Sequence, residues 1–533
     1  MYETIAMNTN KYAVAQGALS KAPQDKPHNH TRIWRPTTAD EIRVFFGICI
    51  YMGVHQEKRY TIYWEKIQAE GPRHSIQQRM SLRRYEALRK YIHLSEPDQL
   101  PPEPRNPAEE ELLPTETMEK LWWWKVEPLL SHFRNACKAY YMPRNDVAID
   151  EIMVRFFGRS YHTYKMPGKP IKQGFKIFAL ADQGYVLIIQ LTSRTHGIGQ
   201  LLLNENLTPT GSMVLQMARQ LPKISGSPFT IFLDNYFTSI PLFRKLRKEN
   251  IGACGTTRAG AAGKDFPAIL TVLRESYSKK LDWGTICAIP VDDVLCVGWQ
   301  DNNLVLGLTT VHTVDRAEDE VTRWRRRPAK TSTNAATARK VFGDLARVEL
   351  DIPVFIDDYN GNMNGVDLAN QHREAYDTQR IAYRVWWPIF HWILDQAVIN
   401  AYKLAKVNGT WKSDHLAFRR NLYNQLLRFA DSTPAASLCE YLSNRRLDPG
   451  PHEWIRLQTR KICVWCRYIA GTKRKVIATL SATTTQTAAT RHILGDITNS
   501  GGNKRLNACW NGCKHCGVPL CKMGDCWVKY HAP

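Results

Sequence analysis

Two of the most apolar stretches in the chain run into a carboxylate: DVAI leads to Asp150, and FTIFL leads to Asp234. Both stretches are rich in β-branched and aromatic residues and read as buried strands. A carboxylate at such a place is poorly solvated, so packing does not account for it. A third acid, Asp367, follows YNGNMNGV and opens a helix-like segment. Two strands and a helix can bring three negative charges to one edge of an α/β sheet, where bound cations relieve their repulsion. A Mg²⁺ site for phosphoryl transfer has this construction. The competing reading at each position is an acid that caps a turn or a helix.

The surroundings sharpen the roles. Strand alternation turns Glu151 to the side opposite Asp150. Asn235, Tyr236 and Phe237 mark the exit from a strand, at the sheet edge where ligands collect in α/β folds. Asn370 lies three residues after Asp367, on the same helical face, and offers a neutral oxygen. Asp182, Asp357 and Asp358 read as turn acids.

Period-3.6 segments, among them EIRVFFGICIYMGV and SLRRYEALRKYIHL, make the first 140 or so residues helical. The Pro- and acid-rich EPDQLPPEPRNPAEEELLPTE is a linker or surface loop. From Asp146 the pattern becomes strand-like, then alternates helix and strand, which describes a mixed α/β fold. Residues 261–350 read as an insertion with β-rich character of its own. After it a strand at IPVFIDD, a Gly/Asn turn at NGNMNG and the helix of Asp367 are expected, followed by the apolar helix WWPIFHWILDQAVINAYKLA.

A chain of 533 residues is too long for one core. Its 72 Lys and Arg against 50 Asp and Glu leave a net charge of +22, which favours a polyanion such as DNA or RNA over a small metabolite. The N-terminal stretch lacks a signal-peptide pattern and no segment is apolar enough for a membrane span, so an intracellular, nuclear protein is expected. The run Arg323, Trp324, Arg325, Arg326, Arg327 reads either as a phosphate-contacting surface or as a solvated basic turn or nuclear-targeting signal. Lys169 and Lys172, with Lys176, lie beside Asp150 and are candidate phosphate contacts; Lys473-Arg474-Lys475 is a weaker candidate.

Of 13 cysteines, seven fall between Cys463 and Cys526. Cys463-x2-Cys466 and Cys513-x2-Cys516, followed by Cys521, Cys526 and His531, have the spacing of tetrahedral zinc ligands. Seven ligands imply two structural Zn²⁺ ions, with an eighth ligand expected from Cys509 or His515.

IDEIMVRFFGRSYHTYKMPGKPIKQGFKIFALAD, LDNYFTSIPLFRKLR and YNGNMNGVDLANQ resemble, in order and separation, three signature blocks of piggyBac-type transposases. The resemblance extends from near Glu41 through the cysteine-rich end. It implies an RNase H-like DDE/D core in which Asp150, Asp234 and Asp367 match the catalytic acids, with two Mg²⁺ ions and double-stranded DNA as substrate. It further implies cut-and-paste transposition at TTAA sites, a hairpin end intermediate, a homodimer that synapses two transposon ends, and a cross-braced zinc module recognising DNA ends.

The implied organisation is a helical DNA-binding and dimerisation region at 1–145 and 377–456, a core at 146–260 and 351–376, the insertion at 261–350, and the zinc domain at 457–533. Many members carry a further Asp where this chain has Asn370. A domesticated, catalytically inactive DNA- or chromatin-binding descendant and a simple nuclease are the rival readings.

Overall fold

A computed structural model describes residues 1–18, 34–65, 74–97, 123–223, 228–381 except 259 and 261, 384–432, 451–466, and 508–531 except 517, 523 and 524. The Pro- and acid-rich linker, apart from its first residues, and the Thr/Ala-rich stretch with Lys473-Arg474-Lys475 lie outside the described residues. The chain divides into two compact units, 1–430 and 431–533. No helix among the described residues is long and apolar enough to cross a membrane.

The first unit begins with helices α1 (Tyr2–Ala15), α2 (Ala39–Val54), α3 (Leu82–Tyr91) and α4 (Glu127–Tyr140). The Thr38 and Ser81 side chains cap α2 and α3 by accepting from the N–H groups of Glu41 and Arg84. Nearly all of α2 from Ile42 to Gly53 is buried, as its continuous apolar run requires.

Strands β1 (Asp146–Arg155), β2 (Tyr164–Lys165), β3 (Gln173–Asp182), β4 (Tyr185–Ser193) and β5 (Gly197–Ile198) follow. Helix α5 (Pro209–Ala218), β6 (Thr230–Leu233), α6 (Ile240–Lys248) and β7 (Gly252–Thr256) then alternate. The sheet runs β5-β4-β3-β1-β6-β7-β10-β9-β8, with β8 (Ile286–Val291), β9 (Val294–Gln300) and β10 (Leu304–Thr309) at one end. β1, β3 and β4 pair antiparallel, whereas β6 and β7 run parallel to β1. This is a mixed α/β fold, as expected. Within the expected insertion, 261–350, strands β8, β9 and β10 join the large sheet, where β10 pairs antiparallel with β7.

The end of this region differs from the expected order. β11 (Glu320–Arg326) and β12 (Arg347–Pro353) make a separate two-stranded sheet, and the chain then enters helix α7 (Val354–Asn362) where a strand and a Gly/Asn turn were expected. Pro353 ends the strand, and Phe355, Ile356 and Tyr359 fall at helical spacing and bury one face. Helix α8 (Gly365–Glu374) carries Asp367; α9 (Trp387–Val407) and α10 (His415–Ser432) complete the unit. Trp386 and Trp387 are core residues, and Phe390 of α9 packs on Phe46 of α2 with ring centroids 5.4 Å apart.

The central strands separate two apolar layers. Ala148, Phe232 and Cys254 face α7, packing with Phe355, Ile356 and Tyr359. Ile149, Ile231 and Ala253 belong to the other layer, with Leu242, Phe243 and Leu246 of α6. Two glycines set the distance of the covering helices. A Cβ at Gly307 would stand 2.3 Å from the Phe355 ring, and one at Gly365 would stand 2.9 Å from the Ala181 carbonyl oxygen. Backbone cannot yield as a flexible side chain can, so Gly365→Ala is expected to cost about 1–3 kcal/mol by lifting the first turn of α8. Urea denaturation of the variant beside wild type measures this.

The second unit holds β13 (Trp454–Ile462), β14 (Ala508–Cys513) and β15 (Val518–Pro519) in one antiparallel sheet, then helix α11 (Cys526–His531). Among the described residues its buried cluster consists of Cys463, Cys509, Cys513, Cys516 and Cys521 with Leu520 and Tyr530, and Trp465 and Trp527 pack against it.

Candidate active site and metal centres

The last paired residues of β1 and β6 are Ile149 and Leu233, so Asp150 and Asp234 are the next residues on adjacent parallel strands. Neighbouring strands lie about 4.8 Å apart, which sets the two carboxylates side by side. β6 stops there because the chain turns: Asp234 Oδ1 accepts from the Tyr236 N–H at 2.8 Å, and its carbonyl accepts from the Thr238 hydroxyl at 2.8 Å. Asp150 Oδ1 accepts from the Glu151 N–H at 2.7 Å. Asp367 stands in the first turn of α8, which lies on β1 and β3.

Burial, with the charges of Asp234 and Asp367 adding, pushes the Asp150 carboxyl up to about 7. Burial first, and then Glu151, raises Asp234 as well. The fold therefore concentrates carboxylates that crowd one another, the electrostatic condition for cation binding. Among the described residues, the clusters whose ligand atoms all lie within 4.8 Å of one another are both in the second unit. In the first unit Asp367 lines a cleft with Glu151, while Asp150 and Asp234 follow the paired register of adjacent strands, which suits ions shared with a substrate better than a closed structural cage.

Glu151 departs from its expected place. β6 pairs β1 only as far as Ile149, so β1 continues past it with an open edge, and Glu151 lines the same cleft of about 250 Å³ as Lys169, Asp367 and Asn370. Its carboxylate is held at 3.1 Å by Lys169 and at 3.0 Å by Lys176. These lysines keep Glu151 below the ordinary carboxylate range despite its burial.

The three lysines are not equivalent. Lys176 is buried, with Nζ 4.7 Å from the Phe178 ring centroid and 4.8 Å from that of Tyr236. Lys169 is partly exposed, and Lys172 lies exposed in the turn before β3. Asn370 does line the cleft beside Asp367, as its helical spacing predicts.

The basic run forms strand β11, not a turn. Alternation divides it. Arg323 pairs with Asp357 at 2.6 Å and Arg325 with Asp301 at 2.8 Å, while Arg327 stands 3.9 Å from Asp344. Trp324, 66% exposed, and exposed Arg326 occupy the other face, where Arg326 lies opposite Arg347 of β12. Two of the acids read as turn residues serve this architecture, since Asp357 holds Arg323 and Asp358 meets His312 Nε2 at 3.0 Å; the third, Asp182, is buried and pairs with Arg144 at 2.8 Å.

Next to the acid row stands a pair that the sequence did not suggest. Tyr359 Oη lies 3.1 Å from Thr256 Oγ1. Burial, with Asp234 and Asp150 among the other causes, pushes the Tyr359 phenol up to about 12, so it remains a proton donor. Tyr359 falls between the expected strand IPVFIDD and the expected turn NGNMNG, and neither assignment points to it.

In the second unit the cysteines fall into two four-ligand groups. One is Cys463, Cys466, Cys521 and Cys526; the other is His452, Cys513, Cys516 and His531. Cys466 Sγ is 3.8 Å from Cys521 Sγ and 3.6 Å from Cys526 Sγ. Nδ1 of His452 is 3.5 Å from each sulfur of Cys513 and Cys516, and His531 Nε2 is 3.4 Å from Cys516 Sγ. Zn–S bonds of about 2.3 Å in a tetrahedron give ligand–ligand edges of about 3.8 Å, slightly less with nitrogen, so both groups fit Zn²⁺. His531 Nδ1 meets the Trp527 carbonyl at 2.9 Å, leaving Nε2 for a metal.

The eighth member of the two groups is thus His452, where Cys509 or His515 was expected. The Cys509 thiol is directed to the carbonyls of Lys461 and Asn511, each at 3.4 Å. His452 precedes β13 and reaches the Cys513 pair because β13 and β14 pair Trp454 with Cys513. A lone His eleven residues before a Cys pair has no local signature.

A family model described as Transposase IS4 matches residues 1–402. The human PiggyBac transposable element-derived protein 2 is 23% identical over 438 residues, covering 80% of this chain and 66% of the relative. The human PiggyBac transposable element-derived protein 3 is 24% identical over 436 residues, covering 80% and 62% respectively. The chain therefore spans just under two thirds of these relatives' own lengths. A cryo-EM structure of a piggyBac transposase synaptic complex with hairpin DNA shares the fold, with a TM-score of 0.59 at 20% identity over 83% of this chain and 84% of that one.

Proposed function

The chain belongs to the Transposase IS4 family, and from that premise we propose that it is a piggyBac-like DDE/D DNA transposase whose catalytic acids are Asp150, Asp234 and Asp367. The observation that carries the reading is the register of β1 against β6, which sets Asp150 beside Asp234 under the helix that bears Asp367. A pair of Mg²⁺ ions, when bound, supplies a water nucleophile and stabilises the attacking and leaving oxygens of an in-line displacement. The protein's part is placement. Asp150 and Asp234 are fixed by backbone hydrogen bonds from Glu151 and Tyr236. Lys169, Lys172 and the exposed face of β11, with Arg326 and Trp324, are available to the DNA backbone; Arg323 and Arg325 contribute only by exchanging their acids for phosphates.

Double-stranded DNA with inverted terminal repeats is the proposed substrate, at TTAA sites, in the nucleus and with a homodimer joining two ends. The zinc module, carrying two structural Zn²⁺ ions, recognises the DNA end.

The test is a cleavage and joining assay on a synthetic duplex bearing the inverted repeat that flanks this coding sequence. Mg²⁺-dependent release of a 3′-hydroxyl end that then joins to a TTAA-containing target is expected. Cleavage without joining identifies a nuclease. Specific binding without cleavage identifies a catalytically inactive descendant, the reading that Asn370 favours because the cleft lacks the carboxylate many relatives have there.

A further inference from the structure

The register that joins Asp150 to Asp234 continues one strand further. Leu233 of β6 pairs with Gly255 of β7, so Thr256 stands beside Asp234 as Asp234 stands beside Asp150. In-register residues on parallel strands share a face, and all three belong to the face covered by α7. Tyr359, on α7, is 8% exposed and packs in the cluster of Ala148, Phe232, Cys254 and Phe355 on that face. Gly307 admits the Phe355 ring against the sheet, which seats α7 close enough for the Tyr359 hydroxyl to reach Thr256 at 3.1 Å.

Two hydroxyls joined by one hydrogen bond carry two O–H protons and spend one. Among the described residues neither has a second side-chain hydrogen bond, so one donor remains. Its neighbours in the row are acids, which when ionised only accept. A buried donor is usually matched by an acceptor. A phosphodiester drawn to the carboxylates brings non-bridging oxygens, which are acceptors.

We propose that the Thr256–Tyr359 hydroxyl pair is a substrate-contacting element of the site, whose unspent O–H donates to a non-bridging oxygen of the scissile phosphodiester. No bond to the protein forms or breaks; the donor stabilises charge that builds on that oxygen during displacement. The inference rests on the phosphodiester-cleaving reading above.

The probe is the inverted-repeat duplex with a single phosphorothioate, in either configuration, at the cleaved position. Tyr359→Phe is expected to cut the all-oxygen duplex about 10–100-fold more slowly, with duplex affinity and melting temperature at wild-type values. One sulfur configuration is expected to slow wild type without rescue by Mn²⁺, and to slow Tyr359→Phe no further. Should the phenylalanine variant not fold, Thr256→Val, which removes the other hydroxyl, is read by the same loss of sulfur sensitivity. A wild-type rate, or a sulfur effect that persists in full in the variants, overturns the proposal. So does a changed Mg²⁺ requirement with the sulfur effect intact, which would place the donor on Asp234. Asp150→Asn serves as the control. If it is inactive while Tyr359→Phe behaves as wild type, only this proposal falls; if it cuts normally, the metal-site reading falls as well.

Discussion

Asp150→Asn is expected to abolish strand cleavage and, at the same time, to raise the thermal stability of the protein at pH 8 without added magnesium. The two effects have one cause. In the folded chain the Asp150 carboxyl is raised to about 7, first by burial and then by Asp234 and Asp367, against an ordinary value of 3.8. Between those values the unfolded chain has lost the proton and the folded chain keeps it, so stability falls as pH rises from about 4 to 7. Above 7 the full penalty of a crowded, ionised carboxylate is present. Asparagine removes the charge at nearly the same volume. Its gain in melting temperature is therefore expected at pH 8 and expected to vanish near pH 4.

Magnesium provides the complementary measurement. An ion that binds only the native state stabilises it by mass action, so added Mg²⁺ is expected to raise the melting temperature of wild type and not of Asp150→Asn. Metal stabilisation of the reacting oxygens amounts to several kcal/mol, so cleavage is expected to fall by about 10³-fold or more. An asparagine variant that cleaves normally, or that melts as wild type does at pH 8, would contradict the assignment of Asp150 to a crowded metal site.

The second large effect concerns zinc. His452→Ala is expected to lower the bound zinc from two ions per chain to one, whereas Cys509→Ser is expected to leave two; elemental analysis of the purified proteins distinguishes them. The ligands interleave: His452 joins Cys513, Cys516 and His531, while Cys463 and Cys466 join Cys521 and Cys526. An ion in either group would therefore tie residues 452–466 to residues 513–531. Among the described residues, the fully buried part of this unit's cluster consists of cysteines with Leu520 and Tyr530, so the ligands themselves make up much of what holds the segments together. Structural zinc supplies about 10–16 kcal/mol in small domains of this kind. A strong chelator is thus expected to expose the region after residue 451 to protease while the sheet of the first unit stays resistant. A unit that kept its protection after losing both ions would refute a structural role for the metal.

How much of this was legible in the chain differs from residue to residue. Asp150 and Asp234 stood out because carboxylates conflict with the apolar runs that carry them, and that conflict is local. The cysteine pairs were equally plain, since two residues between thiols is a ligand spacing. Helix α7 was misread because Asn360, Gly361 and Asn362 carry turn chemistry, whereas burial of Phe355, Ile356 and Tyr359 against the sheet outweighs it. The arginine run was visible as charge, but its partners Asp301 and Asp357 lie 24 and 34 residues away.

The sequence by itself determined the chemical types: two strand-borne acids and a helix-borne one, two cysteine–histidine groups lacking one member, and a basic balance suited to a polyanion. Only the tertiary structure decided which groups share a site. Strand register put Thr256 beside Asp234, the early end of β6 opened the cleft to Glu151, and the pairing of β13 with β14 delivered His452 to Cys513. Period and spacing act over a few residues and can be read along the chain. Register between distant strands is settled by the burial of whole faces at once, and no single segment records it.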